Sequence, residues 1–415
     1  MQFFALGLGV FCMLGCWHFA PMWMNRRDLP PDKSQSKCRK HITDPGNDPR
    51  RIPRPSGSVK IIRLTNAGEF VDRCELTDAL YELNWDRERP EDSFGVAVQP
   101  DAPSLPKLTV LYIHGWKHGY ASDDTDLTNF SELIAQLRHR HRGAKHIVGV
   151  YVGWDASAGL PGLLENASFW IKKTNADRIA QSGVVTKIVS SIGAESRGVR
   201  GRTDQFIAIG HSFGARLLFS AVAQSLIYQA ERAHPGHPNG AYGVVEGPAD
   251  AIILLNPAFE ASRYSAIDDV MRRDERFQFD QPPLLISVAT DNDWATRRAF
   301  PLGQWLGRAR SARELTTLGN YLPFVTHTLS RATASTEQFN DAPLSEEFVS
   351  EGLCLARLAR SAGRSTVQPH NPFIVASTTK DVIDGHNGIW TEGFGGWLIG
   401  LITALEAQRD RTNKV

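Results

Sequence analysis

The sequence predicts an α/β protein, with a doubly wound, mainly parallel sheet and helices on both faces. The first observation is a set of short apolar runs without a polar face: Leu108–Ile113, Ile147–Val152, Gln205–Ile209, Ala251–Leu255, Leu284–Val288 and Phe373–Ala376. Strands of that kind are buried on both sides, which requires helices above and below a parallel sheet. The second is that helical spacing alternates with the runs, near Leu127–Arg138, Asn175–Ile192 and Gly214–Glu231, with a last segment at Phe394–Gln408. The third is the absence of any internal repeat, which excludes solenoids and propellers.

Taken in chain order, the first element is apolar from Phe3 to Met24, interrupted by His18 and Pro21. It is long enough to span a bilayer and also fits a signal-peptide core. No Lys or Arg precedes it and Arg26 and Arg27 follow it, a pattern that would hold the remainder in the cytoplasm. Met13-Leu14-Gly15-Cys16, by contrast, is similar to a bacterial lipoprotein cleavage box. On each reading residues 1–24 attach or export the chain and stay out of the fold, so a membrane-associated protein of the bacterial cell envelope is expected. Residues 25–57, rich in Pro, Asp, Lys and Arg, read as a linker to a folded domain over 58–415. In that domain Ser58–Leu64 alternates like a strand, residues 68–72 could pair with it, and Leu76–Leu83 has helical spacing. These first strands are expected to be antiparallel; the apolar runs follow.

Composition narrows the function. With 415 residues, 42% hydrophobic and 22% charged, the chain can bury a large core and is not disordered. Lys plus Arg number 46 against 45 Asp plus Glu, a formal charge of +1 that gives nucleic acid no electrostatic hold. Five cysteines exclude a disulfide scaffold, and Cys38, Cys74 and Cys354 lack the spacing of a structural zinc site. Phosphate-loop, dinucleotide and zinc-protease motifs are missing, so neither cofactor nor metal is expected.

In open parallel sheets the reactive groups lie beyond the carboxyl ends of the strands. After the run Gln205–Ile209 comes Gly210-His211-Ser212-Phe213-Gly214 and then a helical segment. Strand, G-x-S-x-G and helix together form a sharp turn that strains the serine backbone. The flanking glycines let neighbouring chain pass, and helix N–H groups point at developing negative charge. Ser212 is the candidate nucleophile.

On these residues the chain resembles the α/β-hydrolase superfamily, over roughly residues 106–410. Within that superfamily it looks like the bacterial serine hydrolases, mostly predicted esterases or lipases, with a His-Gly-Trp loop and an Asn-Asp-Trp-Ala-Thr segment. Those motifs stand here as His114-Gly115-Trp116 and Asn292-Asp293-Trp294-Ala295-Thr296. The resemblance implies a Ser–acid–His triad in that chain order. It also implies an oxyanion hole made by the amides of Trp116 and Phe213, with Gly115 allowing close approach to the substrate carbonyl. His114 then orients the loop and His118 is a surface residue.

For the acid, Asp293 matches the family segment; Asp291 and Glu260 are the rivals. For the base, His386 lies in the Gly385-His386-Asn387-Gly388 loop beyond the last apolar run, where the resemblance places the catalytic histidine; His327 is the rival, and Asp381 and Asp384 are expected to shape the loop. Arg138–Arg142 reads as a solvated helix end. Residues 155–174 and 297–370 exceed what the core requires and are expected to be lid-like insertions, the first supplying either an acyl-binding wall or a core helix.

The function this implies is cleavage of a small acyl-ester or lipid-like substrate, with the membrane as a partner through the N-terminus. The alternatives are acyl transfer, thioester or amide cleavage by the same groups, and a non-catalytic envelope protein built on the hydrolase fold.

Overall fold

The computed structural model describes residues 59–84, 105–156, 163–196, 204–234, 242–293, 295–301, 311–333, 342–359 and 367–412, together with Cys38. The chain divides into two units, 1–48 and 49–415, and the elements below belong to the second. The N-terminal apolar run and, apart from Cys38, the expected linker lie outside the described residues. Cys38 and Cys74 are both disulfide-bonded, whereas Cys354 is a buried free thiol.

The strands are β1 (Lys60–Leu64), β2 (Lys107–Ile113), β3 (His146–Trp154), β4 (Gln205–His211), β5 (Ala251–Leu255), β6 (Leu285–Thr290), β7 (His327–Arg331), β8 (Glu347–Ser350), β9 (Leu353–Arg357) and β10 (Phe373–Thr378). Among the described residues they form a single sheet in the order β1-β3-β2-β4-β5-β6-β10-β7-β9-β8. All pairings from β1 to β7 in that order are parallel, and the β7–β9 and β9–β8 pairings are antiparallel. The helices are α1 (Cys74–Asn84), α2 (Thr125–His141), α3 (Leu163–Gln181), α4 (Val184–Ser196), α5 (Phe213–Ala233), α6 (Ser265–Met271), α7 (Ala312–Leu315) and α8 (Glu392–Thr412).

The apolar strands alternate between two cores. Leu111 and Ile113 of β2 join a core with Ile188 and Ile192 of α4 and Leu217, Leu218 and Val222 of α5. Leu108, Val110 and Tyr112 of the same strand join Phe130 and Leu137 of α2 and Trp397, Leu401 and Ile402 of α8 on the other face. A strand serving two cores has no solvent-facing side, which is why these runs read as continuous.

Three expectations are corrected. Within the sheet β1 is parallel to β3, because α1 follows it and a helical crossover returns the chain to the same end of the sheet; its antiparallel pairing is confined to the loop after it. Residues 68–72 add only the Leu64–Phe70 bridge. The expected helix over Asn175–Ile192 is two helices. Gly183, at φ +74°, breaks the helix, and the Ser182 hydroxyl accepts from the Val184 N–H to start α4. The stretch 297–370 is not simply a lid: β7, β8 and β9 extend the sheet beyond β10, with Leu329, Leu353 and Leu355 buried in the second core. Of 155–174, the side chains from 157 to 170 lie outside the described residues, and with them the apolar residues expected to form either an acyl wall or a core helix.

Candidate active site

The site is assembled at the ends of β2, β4, β5, β6 and β10. The turn from β4 into α5 places Ser212 at φ 56°, ψ −118°, a backbone conformation that a non-glycine residue holds only when its surroundings impose it. Here the Ser212 N–H donates to the Leu255 carbonyl at 2.9 Å and its carbonyl accepts from Ala258 at 3.1 Å. The motif glycines are sterically required. A Cβ on Gly214 would lie 2.0 Å from the Ile113 carbonyl oxygen, and one on Gly210 would lie 2.7 Å from the Ala215 backbone.

The structure brings Ser212, His386 and Asp293 together. The Ser212 hydroxyl donates to His386 Nε2 at 2.6 Å, and His386 Nδ1 donates to Asp293 Oδ2 at 2.6 Å. Ser212 and Asp293 are buried. Asp293 Oδ1 accepts from the backbone N–H groups of Ala295 and Thr296 at 2.8 and 3.2 Å, and Oδ2 also accepts the Thr296 hydroxyl at 2.7 Å. Burial alone would raise its pKa. The charge of His386 and the hydrogen bonds from His386 and Thr296 outweigh burial and hold it below the usual carboxylate value.

The rivals stand elsewhere. Asp291 is exposed, with its carbonyl accepting from Arg297 at 2.6 Å. His327 is buried on β7, between the Ser345 carbonyl at 2.9 Å and the Thr326 hydroxyl at 2.8 Å. Asp384 accepts from Asn292 at 2.9 Å, bracing the base loop against the acid loop, and the Asp381 carbonyl accepts from Arg331.

Glu260 belongs to an ion-pair cluster. It meets Arg216 at 2.9 Å, Arg263 at 2.9 Å and Lys173 at 3.1 Å, and Arg216, almost wholly buried, also meets Asp177. Burial works to raise the Glu260 pKa, but the three cations overcome it and hold it far below the usual carboxylate range. A carboxylate depressed in this way stabilises the fold above its unfolded pKa of about 4.3 and loses that contribution as the pH falls. Glu260→Gln is therefore expected to lower stability by about 3 kcal/mol near neutral pH, by leaving Arg216 short of a buried partner. The deficit should shrink toward pH 2 in thermal melts. A deficit that is constant from pH 7 to pH 2 would contradict this reading.

The His-Gly-Trp loop lies against the nucleophile. A Cβ on Gly115 would stand 2.6 Å from the Ser212 Cβ. Trp116 is 4% exposed, and Phe213 opens α5. His114 is buried and its pKa is pushed down to about 4 by burial. Its Nε2 accepts from the Trp154 N–H at 2.9 Å, leaving the Nδ1 proton to donate to the Gly115 carbonyl at 2.8 Å. It thereby ties the loop to β3. His118 is not a free surface residue: it is partly buried and pairs with Asp124 at 3.3 Å. At the helix end Arg138 donates to the Ile147 carbonyl and His141 meets Glu406, while His139 and Arg140 are exposed.

Sequence reasoning missed four contributors. Thr296 was legible in principle, since an Asp at a strand end commonly caps the backbone N–H groups two and three residues on. Asn256 and His211, whose side chains hold the base loop, carry no sequence signal of that role. Trp390 also anchors the loop, donating to Asp126 Oδ1 at 2.5 Å, while Tyr112 donates to Asp126 Oδ2 at 2.7 Å.

The strand order and the strained strand–turn–helix elbow at its centre define an α/β-hydrolase fold. No protein-family model and no curated protein matches the sequence. Among solved structures the chain is similar to an acetylxylan esterase, with TM-score 0.25 and 11% identity over 73% of this chain and 100% of the other. It is also similar to a Xanthomonas campestris α/β serine hydrolase described as lacking a lid, with TM-score 0.17 and 15% identity over 52% and 71% of the two chains. Likeness at that level does not reach the chemistry of this chain.

Proposed function

We propose that the chain is a serine hydrolase that cleaves a carboxylic ester through an acyl-enzyme. The supporting observation is the continuous relay from Ser212 through His386 to Asp293, with both links at 2.6 Å. In this reading His386 takes the Ser212 proton as Oγ attacks the ester carbonyl, then returns it to the leaving alcohol. Water, deprotonated by the same imidazole, then releases the carboxylic acid. The amides of Trp116 and Phe213 are proposed to bind the oxyanion, a role supported by the close packing of Gly115 on Ser212, which leaves no room for a Cβ.

Activity of the full chain on a chain-length series of p-nitrophenyl esters tests the reading, with Ser212→Ala as control. Turnover in the wild type and none above background in the control is the expected result. Equal, background release from both would overturn it, and release that depends on an added alcohol acceptor would favour acyl transfer over hydrolysis.

We also propose that the N-terminal segment carries the protein to the cell envelope. The disulfide bonding of Cys38 and Cys74 supports this, because such bonds persist in oxidising compartments. Palmitate labelling that is lost in Cys16→Ser would assign the lipoprotein route; unlabelled protein in the membrane fraction would favour a spanning anchor.

A further inference from the structure

We infer that Asn256 and His211 are positioning residues for the base, acting as a clamp on its main chain; the inference rests on the ester-hydrolase reading above. The His386 carbonyl accepts two side-chain hydrogen bonds, from Asn256 Nδ2 at 2.8 Å and from His211 Nε2 at 3.0 Å. Asn256 Nδ2 also lies 3.4 Å from the Gly385 carbonyl. Both clamping residues are fully buried. The His211 and His386 rings are 5.1 Å apart between centroids, so the clamp lies directly beside the imidazole.

The clamp is tied to the other two reacting loops. Asn256 Oδ1 accepts from the Thr290 N–H at 3.0 Å, at the end of the strand that leads into the Asp293 loop. The Asn256 N–H donates to the Val288 carbonyl at 2.8 Å, and the adjacent Leu255 carbonyl receives the Ser212 N–H at 2.9 Å. Asn256 holds φ 42°, a left-handed conformation that asparagine tolerates better than most residues. It aims the side chain across from β5 to the base loop. His211 is suited to pure donation. Burial, and secondarily the neighbouring His386, push its pKa down to about 4, so the ring is neutral, and the carbonyl 3.0 Å from Nε2 calls for its one proton there.

The need for a clamp follows from the chemistry. His386 lies in a loop, so its ring is held by the ring hydrogen bonds and by its own Cα. While Ser212 is free, two ring bonds fix the imidazole. Once Oγ is acylated it can no longer donate to Nε2, and one of those bonds is gone. The imidazole must then stay aimed at an incoming water with only Asp293 and the main chain to hold it. Deacylation is therefore the step that depends most on the clamp.

Pre-steady-state release of p-nitrophenol by the full chain separates the two steps. Asn256→Ala and His211→Leu are each expected to slow deacylation about tenfold, the scale of a buried hydrogen bond of ordinary strength, and to slow acylation by less than about threefold. A burst of p-nitrophenol ahead of the steady state is expected in both variants. His211→Gln, which keeps a side-chain N–H donor, should recover most of the deacylation rate. The two substitutions act on one carbonyl, so their effects should be less than additive in the double variant. If Asn256→Ala does not fold, His211→Leu and His211→Gln carry the test. Variants that deacylate at the wild-type rate, or that slow both steps equally, would overturn the clamp while leaving the hydrolase reading intact. A wild type that releases no p-nitrophenol would remove both.

Discussion

Asp293→Asn is expected to lower kcat by about four orders of magnitude, with KM within about threefold of wild type. The size of the effect comes from which way the amide must face. Asp293 Oδ1 accepts two backbone N–H groups, from Ala295 and Thr296. An asparagine at this position would place its carbonyl oxygen there, since its NH2 cannot accept. The NH2 would then face His386 Nδ1, where Oδ2 now stands. Donating to Nδ1, it would select the tautomer that carries its proton on Nε2, which cannot take a proton from Ser212. Steady-state kinetics on the best ester of the chain-length series measures this. A loss of less than about tenfold would show that Asp293 does not set the state of the imidazole.

Gly115→Ala is expected to cost about a hundredfold to a thousandfold in kcat, the scale of losing one oxyanion donor. The added methyl would lie 2.6 Å from the Ser212 Cβ and 3.0 Å from His211 Nδ1. Neither neighbour can yield easily. Ser212 is fixed by backbone bonds to Leu255 and Ala258, and His211 is held by the His386 carbonyl. The loop itself must therefore retreat, carrying the Trp116 amide away from the carbonyl that reacts. Its far side is tied to β3 through His114 and Trp154, so the displacement would be local and the fold should survive. The discriminating measurement is labelling by a fluorophosphonate alongside ester turnover. Turnover that falls while the thermal midpoint stays near wild type is expected, and unchanged turnover would remove Gly115 from the reacting surface.

The fold was legible because the double burial of its strands leaves a mark that few other arrangements leave. Leu108–Ile113 and Ala251–Leu255 have no solvent-facing position, and each side of the sheet has its own core. The edges were harder. β1 looked like half of a hairpin because its alternation suits an edge strand of either direction, and direction is set by the helix that follows. β7 to β9 were hidden in a stretch of mixed polarity: β8, the edge strand, has no fully buried residue, and β7 ends in two exposed ones.

At the site, the legible parts were those whose chemistry constrains sequence locally. The elbow needs Gly210 and Gly214 at fixed distances from Ser212, and those positions admit no Cβ. Asp293 and His386 were found through a family resemblance, because nothing within either loop reveals that its side chain meets the other at 2.6 Å. Asn256 and His211 escaped notice for the same reason in stronger form. Their partner is a backbone carbonyl more than a hundred residues away in sequence, and a carbonyl belongs to every residue.

The most direct measurement is peptide mapping of the protein after reaction with a fluorophosphonate, read by mass spectrometry. The nucleophile assignment requires one adduct per chain, on the peptide bearing Ser212, and slow or absent labelling in His386→Ala. An adduct on another residue, or none on the folded wild-type protein, would contradict the proposal that Ser212 is activated by His386.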